Sequence, residues 1–134
     1  MILPSDPDNP YSEVFVRLPL PPSANVMYRA VPSGNHCRVV VSREGRIFRD
    51  ECAPIMVKYP EPFHSHVSVE ATFFFKNGMS DLDNRIKALL DVLEVGKLGF
   101  GLLQDDRQVV ELHCFKRIDP EHPRVEVRIR EARI

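Results

Sequence analysis

Residues 66–95 read HVSVEATFFFKNGMSDLDNRIKALLDVLEV, and the hydrophobic period changes from two to about 3.6 inside this stretch. From His66 to Phe75, Val67, Val69, Ala71, Phe73 and Phe75 fall on one face and Ser68, Glu70 and Thr72 on the other, which predicts a half-buried strand. Asn77-Gly78 ends it. From Leu82 to Val95 the spacing of Leu82, Ile86, Leu89, Leu90 and Leu93 predicts an amphipathic helix, with Arg85, Lys87, Asp91 and Glu94 on its surface. Ser80 or Asp81 is the expected cap. Ser80 with Asp83 three residues later resembles a capping box, and acids in the first turn suit the helix dipole.

Working outward, Val14, Val16 and Leu18 alternate with Phe15 and Arg17 as a strand does, until Pro19, Pro21 and Pro22 turn Leu18–Asn25 into a stiff loop. Arg38–Ser42 is a short β-branched run, and Arg46–Lys58 is expected to be helical, with Pro54 blurring its end. A loop with Gly96, Gly99 and Gly101 leads to Asp105-Asp106, and two further strands are predicted at Gln108–Arg117 and Arg124–Arg130. The order β, β, α, β, α, β, β predicts a single α+β domain: a small mixed β-sheet with helices packed on one face. Residues 1–12, with Pro4, Pro7 and Pro10 among polar residues, are expected to be a flexible arm, and 13–134 the domain.

With 43% hydrophobic and 28% charged residues, the composition is that of a globular protein and excludes a disordered one. No run approaches the roughly 18 apolar residues of a membrane span and no secretory signal opens the chain, so a cytoplasmic protein is expected. Cys37, Cys52 and Cys114 are odd in number and far apart, which argues against disulfides and zinc and for core thiols. His64 and His66 form an H-x-H pair without a third ligand nearby, and Phe74 is the aromatic left for an interface. Arg124, Arg128 and Arg130 share one strand face, as solvated or dimer-facing residues. A net charge of −1 does not advertise a nucleic-acid binder. Locally, however, Arg29, Arg38, Arg43, Arg46 and Arg49 stand against only Glu44, a stretch able to follow phosphates, and Lys76 adds one positive charge before Asp81.

On a continuous helix Asp81 and Asp83 would point roughly 200° apart. At a strand-to-helix junction, with Asp81 still non-helical, their carboxylates can converge. Asp105 or Asp106, at the mouth of another strand, is expected to add a third carboxylate from across the fold; only one of that pair can point inward. Carboxylate oxygens suit Mg²⁺, which takes one or two carboxylates plus waters and phosphate oxygens. Lys87, one turn after Asp83, is placed to stabilise a phosphate under attack. The same residues also read as ordinary capping, an i,i+4 pair and an Asp-Asp turn, and the spacing alone leaves both readings open.

Asp81-Leu82-Asp83-Asn84, Lys87 and Asp105-Asp106 followed by Gln108-Val109-Val110 resemble the RusA family of Holliday junction resolvases. So do Leu18-Pro19-Leu20-Pro21-Pro22-Ser23 with Asn25 and Tyr28-Arg29, and Val41-Ser42 through Gly45 with Phe48-Arg49-Asp50. The resemblance implies a homodimeric α+β endonuclease of bacteria or their phages. It would require Mg²⁺ or Mn²⁺ and cut four-way DNA junctions by paired nicks in recombination and repair. It also implies Asp81, Asp83 and Asp106 as metal-binding catalytic acids, with Asp105 the second choice for the third, and Lys87 as the catalytic lysine. DNA contact is expected at Arg29, Arg43, Arg46, Arg49 and Lys76. The alternatives are a DNA-binding or phage-encoded interaction protein that keeps the fold without catalysis, and a small-nucleotide phosphohydrolase.

Overall fold

The computed structural model describes residues 9–96 and 99–134. In chain order the elements are β1 (Glu13–Leu18), α1 (Ala24–Met27), β2 (Tyr28–Ser33), β3 (His36–Val41), α2 (Arg43–Met56), β4 (Val67–Phe75), α3 (Ile86–Leu93), β5 (Val109–Ile118) and β6 (Arg124–Glu131). Short 3-10 turns at Asp83–Arg85 and Asp106–Gln108 lead into α3 and β5. The main sheet has the order β1-β6-β4-β5; β2 and β3 form a separate hairpin. β6 pairs antiparallel with both β1 and β4, whereas β4 and β5 run parallel, so the sheet is mixed as expected.

The alternation read from the sequence decides which face is covered. Val14, Val16 and Leu18 of β1, Val125, Val127 and Ile129 of β6, and Val67, Val69, Ala71, Phe73 and Phe75 of β4 are all buried. They pack in one core with Phe48, Cys52 and Met56 of α2 and Ala88, Leu89 and Leu93 of α3. Among the described residues the other face carries no helix and is lined by charged side chains. Arg17 and Arg124 pair with Glu126 at 3.2 and 2.9 Å, and the Arg124 guanidinium lies 3.9 Å over the ring of Phe74. Phe74, expected to be available to an interface, is therefore already roofed.

Four expectations are corrected. The region after the prolines is not only a loop: it holds α1 and then β2, whose pairing with β3 has no apolar alternation to announce it. α2 starts at Arg43, three residues earlier than expected, because Ser42 caps it by accepting from the Gly45 N–H at 3.0 Å. Gly45 is required there, since a Cβ would stand 2.7 Å from the Met27 carbonyl oxygen. Of the three cysteines only Cys52 is a core thiol, its pKa pushed up to about 12 by burial; Cys114 is half-buried and Cys37 is exposed on the hairpin. Residues 1–8 of the expected arm lie outside the described residues. Its last part is docked: Asn9 donates to Ser65 Oγ at 2.8 Å, and the Tyr11 ring meets those of Tyr59 and Phe63 at 5.8 and 5.6 Å.

Candidate active site

β4 ends at Phe75 and a loop carries the chain to Asp81 and the 3-10 turn that opens with Asp83. Leu82 is already helical (φ −66°, ψ −47°), so the N-cap falls on a residue with no acceptor, and neither Ser80 nor Asp81 makes the expected cap bond. Asp81 instead accepts from Asn84 Nδ2 at 3.3 Å. Both aspartates are exposed, and among the described residues no ion pair engages either. The segment around them is tightly tied. Lys116 Nζ donates to the carbonyls of Gly78 (2.8 Å) and Ser80 (2.7 Å), and Arg85 Nη1 donates to the Pro21 carbonyl (2.7 Å). Burial lowers the pKa of Arg85, and its Nε has no partner among the described atoms.

Lys87 does not pair with Asp83. Its ammonium lies 3.6 Å from Asp91 and 5.1 Å from the centre of the Tyr28 ring, and the Tyr28 hydroxyl donates to the same Asp91 carboxylate. Burial, then the bond to Asp91, raises the Tyr28 pKa far above that of a free phenol. Asp91 and Tyr28 thus hold Lys87, a role the sequence did not announce. Lys87 and Asp91, four residues apart, share one side of α3, and Glu94 follows at its C-cap.

At the other end of α3, Leu93 and Val95 bond the backbone of Leu102 and Leu103. Gly101 permits this closeness, since a Cβ would come within 2.8 Å of the Glu94 carbonyl carbon. Here Glu94 Oε1 accepts the Asp106 N–H at 2.9 Å. Burial raises the Glu94 pKa, the charges of Asp106, Asp91 and Asp105 push it further, and the Asp106 N–H opposes them. Asp105 and Asp106 differ sharply. Asp105 caps the second 3-10 turn in a capping box with Gln108 and forms a two-point pair with Arg107 at 3.1 Å, which holds its pKa at about 2. Asp106 is exposed, with no ion pair among the described residues. A cleft of about 550 Å³ beside this end is lined by residues that include Arg49, Asp50, Asp91, Glu94 and Phe100.

The expected convergence of all three acids within one chain does not occur. Because β4 and β5 are parallel neighbours, the loop leaving β4 and the turn entering β5 lie at opposite ends of the paired strands, and α3 spans the gap. The three residues of the 3-10 turn and the eight of α3 put roughly 18 Å of helix between Asp83 and Glu94. Accordingly, among the described residues no three His, Cys, Asp or Glu side chains come together as a metal site. The donors still fit a hard cation in kind: Asp81 and Asp83 at one end and Asp106 at the other offer exposed carboxylate oxygens without cationic partners among the described residues.

Arg29, Arg43, Arg46, Arg49 and Lys76 are all exposed. The hairpin register adds an arrangement that the sequence hid. Arg29 faces Val40, Val31 faces Arg38 and Ser33 faces His36, so these six share one face of the ribbon, and no acid lies on either strand. The opposite face is Tyr28, Ala30, Pro32, Cys37, Val39 and Val41.

A family model described as Endodeoxyribonuclease RusA matches residues 19–130. The chain belongs to the RusA family. That match runs from the proline turn through the hairpin, both ends of α3 and nearly all of β6, so the site acids, Lys87 and the basic residues expected to contact DNA lie inside it. The RusA family comprises endodeoxyribonucleases that act on Holliday junctions. No curated protein matches the chain. Among the described residues of this RusA chain, no helix is long and apolar enough to cross a membrane.

Proposed function

We propose that this chain is a homodimeric, Mg²⁺- or Mn²⁺-dependent endonuclease that resolves four-way DNA junctions by paired nicks, serving recombination and repair in the cytoplasm of a bacterium or a phage-infected cell. One observation carries the reading: Asp81, Asp83 and Asp106, the acids at the family's motif positions, are exposed and, among the described residues, make no ion pair, while neighbouring Asp105 is consumed by a cap and an arginine. Each chain holds two parts of a carboxylate set at opposite ends of α3. A two-fold pair of chains completes two sets by bringing Asp106 of one to Asp81 and Asp83 of the other. Two symmetry-related sites match a junction cut at two symmetrical positions.

A bound divalent ion supplies Lewis-acid stabilisation and an activated water. The chain's own residues do the rest. Asp81, Asp83 and Asp106 bind through carboxylate oxygens, and Glu94 fixes the backbone that presents Asp106. Lys87, steadied by Asp91 and Tyr28, directs an ammonium towards the phosphate. Arg29, with Arg43, Arg46 and Arg49 on α2 and Lys76 after β4, contacts DNA phosphates, and the acid-free face of the ribbon adds Arg38 to this set.

A synthetic four-way junction incubated with Mg²⁺ tests the reading. Wild type is expected to give paired nicks and Asp83→Asn none. Junction binding in EDTA by a wild type that cuts nothing in any metal would instead mark a non-catalytic relative, and hydrolysis of nucleotides without junction binding a phosphohydrolase.

A further inference from the structure

Phe75, Lys116 and Arg85 come from the end of β4, from the edge strand β5 and from the 3-10 turn before α3, and they meet at one ring. The Lys116 ammonium lies 5.7 Å and the Arg85 guanidinium 5.5 Å from the Phe75 centroid. Each cation then turns its donors on backbone carbonyls: Lys116 on Gly78 and Ser80, just before Asp81, and Arg85 on Pro21, from two residues after Asp83. Among the described residues neither is in an ion pair, although exposed carboxylates are near in sequence. Within the loop, the Met79 N–H is closed onto Asn77 Oδ1 at 3.0 Å.

We infer that Lys116 and Arg85, seated on Phe75, are positioning residues that clamp the Asp81–Asp83 segment from both sides. The physical problem they solve is specific. Two carboxylates meant to share a ligand repel one another, and an exposed loop lets them separate. A lysine or arginine paired directly with either would hold it but would occupy its oxygens, as Arg107 does for Asp105. Donation to the carbonyls of Gly78 and Ser80 fixes the backbone instead and leaves the acid oxygens open. An ammonium suits this, having three rotatable donors on a stem that lies along an aromatic face. β5 supplies Lys116 from a paired strand of ten residues, a rigid support of the kind a preorganised site needs.

The inference rests on the nuclease reading for its catalytic meaning, so its test has a part that needs neither metal nor DNA. Lys116→Met keeps the stem and loses the donors; Lys116→Arg keeps donors. Hydrogen exchange of the amides from Met79 to Asp83 is expected to quicken about tenfold or more in Lys116→Met and to return near wild type in Lys116→Arg. The Mn²⁺ concentration for half-maximal cleavage should rise about tenfold, within the range for a group that orients a metal ligand. Junction affinity in EDTA should stay unchanged, which a general loss of structure would not allow. Arg85→Met, cutting the other side, should repeat the pattern and serves if Lys116→Met does not fold. Exchange and Mn²⁺ dependence within twofold of wild type in either Met variant overturn the clamp, as does failure of Lys116→Arg to restore them. A wild type that cleaves nothing rejects the nuclease reading and the catalytic role with it, and exchange alone then decides whether the clamp exists.

Discussion

The two ends of α3 hold their acids in opposite ways. Before the helix, Asp81 and Asp83 make no ion pair among the described residues, and the chain around them is secured through carbonyls by Lys116 and Arg85. After it, two adjacent aspartates are divided: Asp105 is used up as a cap and as the partner of Arg107, and Asp106 is left exposed, its backbone held by Glu94 at the N–H and by the Val109 N–H at the carbonyl. The difference teaches where to look for chemistry. A carboxylate whose backbone is restrained but whose oxygens have no cationic partner is poised for a ligand; one that meets an N–H and a guanidinium at once is doing structural duty.

The largest expected effect breaks this division directly. Asp83→Asn and Asp106→Asn should each lower junction cleavage more than about 100-fold in Mg²⁺, beyond the 10- to 100-fold loss typical of a group behind a metal ligand. Asp105→Asn should retain cleavage within about tenfold, and a gel assay of the three variants separates the two kinds of aspartate. Equal losses in Asp105→Asn and Asp106→Asn would erase the distinction. Lys87→Ala comes next, with a loss of about 100-fold in cleavage rate at saturating metal, the size of one removed transition-state donor. Single-turnover rates check it, and Asp91→Asn should fall between Lys87→Ala and wild type.

Removing Arg29 and Arg38 together, as glutamines, tests whether the hairpin face belongs to the DNA surface. Two lost phosphate contacts should flatten the slope of log affinity against log salt by about 1.8. Fluorescence anisotropy with a labelled junction measures this in EDTA, and an unchanged slope would remove the hairpin from the surface. The smallest effect is in stability against pH. The Asp105 pKa is lowered, chiefly by its bond to Arg107, from 3.8 to about 2, so its contribution is whole above pH 3.8 and is lost as pH falls through about 2. The Tm deficit of Asp105→Asn should therefore be constant from neutral pH to about 4 and shrink towards pH 2. A deficit that grows on acidification would contradict the assigned role.

Much of this was legible in the chain itself. The alternation of Val67, Val69, Ala71, Phe73 and Phe75 gave β4 and its buried face, and Leu89 and Leu93 gave the buried side of α3. The acids and Lys87 were visible as a motif. The hidden part depended on pairing, which no local period encodes. Nothing in Val109–Ile118 says that it runs parallel to β4, yet that single fact sends Asp106 to the opposite end of the paired strands from Asp81. Lys116 carries no signal in the sequence, because its partners are main-chain carbonyls, which sequence cannot mark as special. The hairpin was half missed for a similar reason: Tyr28–Ser33 contains a proline and shows no clear alternation, and only its register with His36–Val41 reveals one cationic face.

We propose that the acids at the two ends of α3 act together, across two chains. Mixing Asp83→Asn with Asp106→Asn chains, after separation and re-association, tests it most directly. If each site takes Asp83 from one chain and Asp106 from the other, a mixed dimer holds one intact site and one doubly damaged one. The mixture is expected to recover single nicks in a four-way junction while paired cuts stay absent. A mixture as inactive as either variant alone would contradict it.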